Sequence, residues 1–104
     1  MNILFVCNQG RHRSRTAAEL FSKEYNTKYC GVYSNLSKND IDWANLIVVM
    51  EDHQRKEISI KFPKEYLAKQ ILCASIPDIY SYNQPELILI IKEKSSIFLP
   101  LIKA

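Results

Sequence analysis

The sequence predicts an α/β fold, a parallel sheet of about four strands flanked by helices, with an anion-binding loop between the first strand and the first helix. Three observations predict it. The runs "ILFVC" and "NLIVVM" are bare of the polar alternation that a half-solvated strand would show, as strands covered on both faces should be. Amphipathic or acid-led segments alternate with those runs along the chain. Chemically distinctive residues cluster just after the runs, where parallel sheets hold their ligands.

Each element follows in order. Ile3 to Cys7 reads as a buried strand. From Ser14 to about Tyr25, the apolar positions Ala17, Ala18, Leu20 and Phe21 recur at helical spacing. "KYCGVYS" reads as a second strand, and "NLIVVM" as a third on its β-branched content. "EDHQRKEISIKF" opens with two acids, as suits a helix N-terminus. "QILCAS" is a fourth strand, and "IPDIYSYNQP" has the prolines and asparagine of a loop. Pro85 suits the first turn of a last helix. In that helix, Leu87 to Ile91 is an unbroken apolar run, which predicts burial on more than one side.

A chain of 104 residues with 47% apolar content supports one domain, residues 1–104, with one core. The net charge of +3 favours an anionic ligand near a local basic cluster and gives no case for nucleic acid. Neither a signal peptide nor a membrane span is expected, because Lys92, Glu93 and Lys94 break the most apolar stretch. A cytoplasmic protein is the expectation, with a monomer favoured. The three cysteines, Cys7, Cys30 and Cys73, fit neither a disulfide framework nor a metal-ligand spacing. Cys30 and Cys73 read as buried small hydrophobes.

The chemistry concentrates in "CNQGRHRS". A loop that wraps from a strand into a helix aims backbone N–H groups at one spot, and the helix dipole favours an anion there. Gly10 supplies the backbone freedom such a cradle needs. Arg13 offers a rigid fork of donors for two oxygens of an oxyanion. Donors that hold a phosphate also stabilise a thiolate at Cys7, and Ser14 is in range to bond the sulfur. The loop residues Asn8, Gln9, Gly10, Arg11, His12, Arg13 and Ser14 are therefore candidate phosphate ligands, with Cys7 as nucleophile. Asp78 is the candidate proton donor, and Tyr80 or Tyr82 a candidate aromatic wall. Glu51 and Asp52 read as helix N-terminal acids, and His53 as a surface residue without a partner. Trp43 is expected to pack on the sheet.

The segments "ILFVCNQGRHRSRTAAELF", "DWANLIVVMEDHQRKEI" and "IPDIYSYNQPEL" resemble the low-molecular-weight protein tyrosine phosphatases, in particular the short members of that family. The resemblance implies a flavodoxin-like fold, no metal and no cofactor. It also implies Cys7 as nucleophile, Arg13 as phosphate clamp and Asp78 as general acid, acting on a tyrosine-phosphorylated protein. Inorganic phosphate or another oxyanion would occupy the loop. The chain departs from the better-known members at Gly10, Arg15 and Ile79, where they carry asparagine, proline and proline. Two rival readings stay open, an arsenate reductase on the same scaffold and a module that binds phosphate or phosphopeptide without turnover.

Overall fold

The computed structural model describes the backbone of residues 1–103 and the side chains of residues 1–96. Four strands, β1 (Asn2–Cys7), β2 (Asn26–Gly31), β3 (Leu46–Val49) and β4 (Gln70–Cys73), form one sheet in the order β2-β1-β3-β4. Every neighbouring pair is parallel, and the register sets Cys7 beside Gly31 and Val6 beside Val49. The helices are α1 (Arg13–Leu20), α2 (Lys38–Trp43), α3 (Asp52–Lys61), α4 (Pro63–Ala68) and α5 (Pro85–Lys103). This is the predicted α/β architecture.

The period of two along β1 splits the core into two layers. Ile3, Phe5 and Cys7 face Ala17, Phe21, Leu87 and Ile91, which come from α1, the turn that ends it, and α5. Leu4 and Val6 face the other layer, with Cys30, Ile41 and Ile58, and Trp43 packs against that layer. Cys7 and Cys30 therefore lie on opposite faces of the sheet. The strand order reverses at β1 and β3, so their carboxyl ends open the crevice in which such sheets place ligands.

The structure corrects several local expectations. The second strand begins at Asn26 and ends at Gly31, and Val32 to Ser34 form a turn. Beyond Gly31 the chain bonds the cysteine loop instead of a strand, with Val32 N–H donating to Cys7 O and Tyr33 N–H to Asn8 O, both at 3.0 Å. The first helix stops at Leu20, because the chain must reverse within a few residues to enter β2. Two six-residue helices, α2 and α4, have no counterpart in the sequence reading, since elements that short show no full helical period. On α5, Leu87 and Ile91 are buried while Leu89 is 68% exposed. The helix is an outer layer with one buried face, not a sandwiched element. The expected apolar tail beyond Ser96 has side chains outside the described residues. No helix of the described residues is long and apolar enough to cross a membrane.

The chain has two glycines, and both serve the cysteine loop. Gly10 sits at φ +73°, and Gly31 lies directly under the loop. A Cβ on Gly31 would fall 2.3 Å from the Gln9 carbonyl carbon and 2.6 Å from Asn8 O. Both obstacles are backbone, so the loop itself would have to lift. We expect Gly31→Ala to cost about 3 kcal/mol, the upper part of the range for overpacking. The thermal midpoint should then fall by on the order of 10 °C for a domain of this size. A midpoint within a degree or two of the parent would refute this close packing.

Candidate active site

Cys7 ends β1 with its side chain 3% exposed, at the floor of a cavity of about 150 Å³. Cys7, Asn8, Gln9, Arg11, His12, Arg13 and Asp78 line the cavity. The loop folds over the sulfur. Gly10 N–H donates to Sγ at 3.1 Å, and Ser14 Oγ lies 3.1 Å from Sγ on the other side. Ser14 is fully buried and also donates to Cys30 O at 3.3 Å. One hydroxyl proton serves both contacts in turn. With a neutral thiol, Sγ–H donates to Ser14 and Ser14 to the carbonyl; with a thiolate, the hydroxyl rotates onto the sulfur. Gly10 and Ser14 thus act beneath the cavity, on the sulfur.

Arg13 is 2% exposed, so its charge needs partners. Its Nη1 donates to Glu51 Oε1 and, at 2.8 Å, to the carbonyl of Ile76. Its Nη2 stands 3.7 Å from Asp78 Oδ1. The guanidinium is thus held by one corner from behind, and its other side faces the cavity. Glu51 was expected only as a helix N-terminal acid. It is the N-cap residue of α3, and it also anchors Arg13. An acid directly after the third apolar run, at the carboxyl edge beside Cys7, was the available signal. We expect Glu51→Ala to destabilise the fold by about 1–3 kcal/mol, because it leaves a buried guanidinium short of its counter-ion. The range lies below that of a fully buried pair because Glu51 is 32% exposed. Glu51→Gln, which keeps an acceptor, should cost less. Equal urea midpoints for the parent and the Ala variant would show that the pair carries no stability.

Asn8 is held on three sides. Its Oδ1 accepts from Gln54 Nε2 at 3.0 Å and from His53 Nε2 at 2.6 Å, and its Nδ2 is 3.5 Å from Asp78 Oδ2. His53 therefore has partners, contrary to expectation, since it also stacks on Tyr33 with ring centroids 6.3 Å apart. Gln54, absent from the sequence reading, is fully buried. Its Oε1 takes the N–H groups of Met50 and Glu51 at 2.8 and 3.0 Å, which ties the start of α3 to the cysteine loop. Its place three residues after Glu51, the spacing of a capping box, was the available signal.

Asp78 lies beside Arg13 with its side chain 56% exposed. Neither Tyr80 nor Tyr82 lines the cavity. Tyr80 packs against the core, and Tyr82 lies along α1 with its hydroxyl on Glu19 and its ring under the Arg15 guanidinium. Arg11 is exposed at the cavity rim. Burial pushes the Cys30 thiol up to about 12, with smaller contributions from Asp40 and Cys7, so it stays a neutral thiol. Cys73 is half-buried rather than buried, and it lines a separate cavity with Glu51, Asp52, Ser75 and Pro77. Among the described residues, no three His, Cys, Asp or Glu side chains gather as metal ligands would.

No family model matches the sequence, and no curated protein matches it. Solved structures do. The YwlE arginine phosphatase from Geobacillus stearothermophilus superposes with a TM-score of 0.69 at 19% identity, over 98% of this chain and 96% of its own. A low-molecular-weight protein tyrosine phosphatase from T. tengcongensis gives 0.73 at 17%, over 99% and 98%. The tyrosine phosphatase Wzb from Escherichia coli K30, solved in complex with phosphate, gives 0.76 at 17%, over 93% and 94%. The chain has the low-molecular-weight protein tyrosine phosphatase fold. It spans nearly the full length of these phosphatases, and carries its cysteine loop at the end of β1 and Asp78 in the loop after β4.

Proposed function

We propose that the protein is a cysteine-dependent phosphomonoester hydrolase acting on phosphotyrosine in proteins. One observation carries this reading. Gly10 N–H and the Ser14 hydroxyl converge on Cys7 Sγ at the floor of a cavity whose wall holds Arg13 and whose rim holds Asp78. The sulfur attacks phosphorus, and the ester oxygen leaves with the proton of the Asp78 carboxyl. The first products are a phosphocysteine and a phenol. Water then attacks the phosphocysteine and gives its proton to Asp78. Inorganic phosphate and the Cys7 thiolate are released. Arg13 and the loop N–H groups hold the equatorial oxygens as charge shifts between them.

Phosphoarginine in proteins is a second substrate reading, favoured by the likeness to an arginine phosphatase at the same level of similarity as to the tyrosine phosphatases. Arsenate reduction needs further thiols of the chain, or an external thiol, to resolve the arseno-cysteine. Cys30 lies on the opposite face of the sheet and Cys73 at a separate cavity, so neither is arranged for it. A module that only binds phosphate has no use for an acid on the cavity rim.

Phosphate release from matched peptides carrying phosphotyrosine, phosphoserine or phosphoarginine tests the proposal. Preferential release from the phosphotyrosine peptide is expected. Release from the phosphoarginine peptide alone would reassign the substrate, and tight binding without turnover of any peptide would reject the enzyme.

A further inference from the structure

The loop that carries Asp78 is pinned at both ends by the segment that carries the phosphate loop. At its start, the Ile76 carbonyl takes Arg13 Nη1–H at 2.8 Å, and Ile76 N–H bonds Met50 O at 2.9 Å. At its far end, Tyr82 N–H donates to His12 Nδ1 at 3.1 Å, and Asn83 N–H donates to Thr16 Oγ1 at 2.9 Å. Thr16 in turn donates its hydroxyl to His12 O at 2.7 Å, so the two acceptors are locked to each other. The Tyr82 hydroxyl bonds Glu19 at 3.0 Å, which raises the Tyr82 phenol and lowers the Glu19 carboxyl, each through that bond first.

His12, Thr16 and Glu19 fall at i, i+4 and i+7, one stripe along α1. Asn83 meets that stripe in the left-handed region at φ 58°, a strained position for which asparagine is among the better choices. Gln84 closes the turn, with its Oε1 accepting Ser81 N–H at 2.9 Å. Asp78 lies between the two pins, in the span Pro77 to Ser81, ahead of Tyr80, which packs against the core. The Asp78 side chain is 56% exposed, and its own contacts are long, 3.7 Å to Arg13 Nη2 and 3.5 Å to Asn8 Nδ2.

We propose that Thr16 and His12 are positioning residues for Asp78, holding the far end of its loop so that the carboxyl stands over Cys7. This rests on the phosphatase reading above. Thr16 is 2% exposed and does not line the cavity, and its hydroxyl bonds the His12 carbonyl and Asn83 N–H, so it acts through the loop.

The test uses leaving groups that differ in their need for a proton. Phenyl phosphate releases a basic phenolate and depends on a general acid, whereas p-nitrophenyl phosphate releases a weakly basic one. Thr16→Val keeps the shape and removes the hydroxyl. It should lower kcat/KM for phenyl phosphate about 10-fold, part of the roughly 10²–10⁴-fold that a positioned acid supplies, and change kcat/KM for p-nitrophenyl phosphate by less than about 2-fold, because kcat/KM reports the attack by Cys7 and not the hydrolysis step that both esters share. Thr16→Ser should recover the phenyl phosphate rate. In an Asp78→Asn background, Thr16→Val should add no further loss. Amide exchange at Tyr82 and Asn83 should quicken in Thr16→Val and return towards the parent rate in Thr16→Ser.

Equal losses of kcat/KM on both esters would overturn the positioning role, as would losses that add to those of Asp78→Asn. Unchanged exchange at Asn83 would overturn the tether itself. A parent protein that hydrolyses neither ester would overturn the phosphatase reading and the catalytic half of this proposal, whereas the exchange rates report the tether independently of turnover.

Discussion

Cys7→Ser should abolish turnover of p-nitrophenyl phosphate while leaving vanadate or phosphate binding intact. The serine hydroxyl fits the same pocket, because Gly10 N–H and Ser14 at 3.1 Å each bond oxygen as readily as sulfur. What is lost is the nucleophile. A serine hydroxyl stays protonated, and Asp78, which must itself give a proton to the leaving oxygen in this step, does not serve as its base. The loss should be about 10⁴-fold or more in kcat, the scale on which removal of a covalent nucleophile acts. Retained oxyanion affinity separates this outcome from a collapsed loop. A serine variant within tenfold of the parent would reject the phosphocysteine route.

Arg13→Lys should lower kcat by about 10²–10³-fold, as expected for the loss of a preorganised donor to transition-state oxygens. A lysine keeps the charge but not the fork. The guanidinium satisfies Glu51 and the Ile76 carbonyl with Nη1 and still presents Nη2 towards the cavity. A single ammonium drawn back to Glu51 cannot also reach the phosphate with two parallel donors. Vanadate affinity should fall together with turnover, because the same donors serve the ground state. A lysine variant that keeps both within about threefold would show that charge alone suffices there and that the fork geometry is idle.

That these two residues meet at one cavity was legible in the sequence because their signal is local. A bare apolar run ends at Cys7, a glycine follows, and Arg13 opens a helix within one short segment. Asp78 was legible more weakly, as an acid in a loop after the fourth run. The two tyrosines near it invited the idea of an aromatic wall. The structure uses Tyr82 differently, to dock the loop on α1, since its ring meets Arg15 at 4.1 Å and its hydroxyl meets Glu19. Nothing in the local pattern separates a tyrosine that faces substrate from one that faces a helix. His53 was misread for a related reason: its partner Asn8 is 45 residues away.

The amino-acid pattern alone determined the class of fold and the identity of the cysteine loop. Hydrophobic periodicity and turn chemistry act over a few residues, and a β-run, a glycine and a helix start fit within that range. The supports of the site were decided by tertiary structure. Glu51 reaches Arg13 across 38 residues, and Asp78 reaches Asn8 across 70. Gly31 must be glycine because β2 ends beneath the Asn8–Gln9 backbone, and Thr16 matters because Asn83 lands on it. Each of these follows from the strand order β2-β1-β3-β4, which brings the carboxyl ends of β1 and β3 and the loop after β4 to one crevice. Contacts made by sheet order leave no periodic trace along the chain, so only the assembled sheet reveals which polar residue answers which.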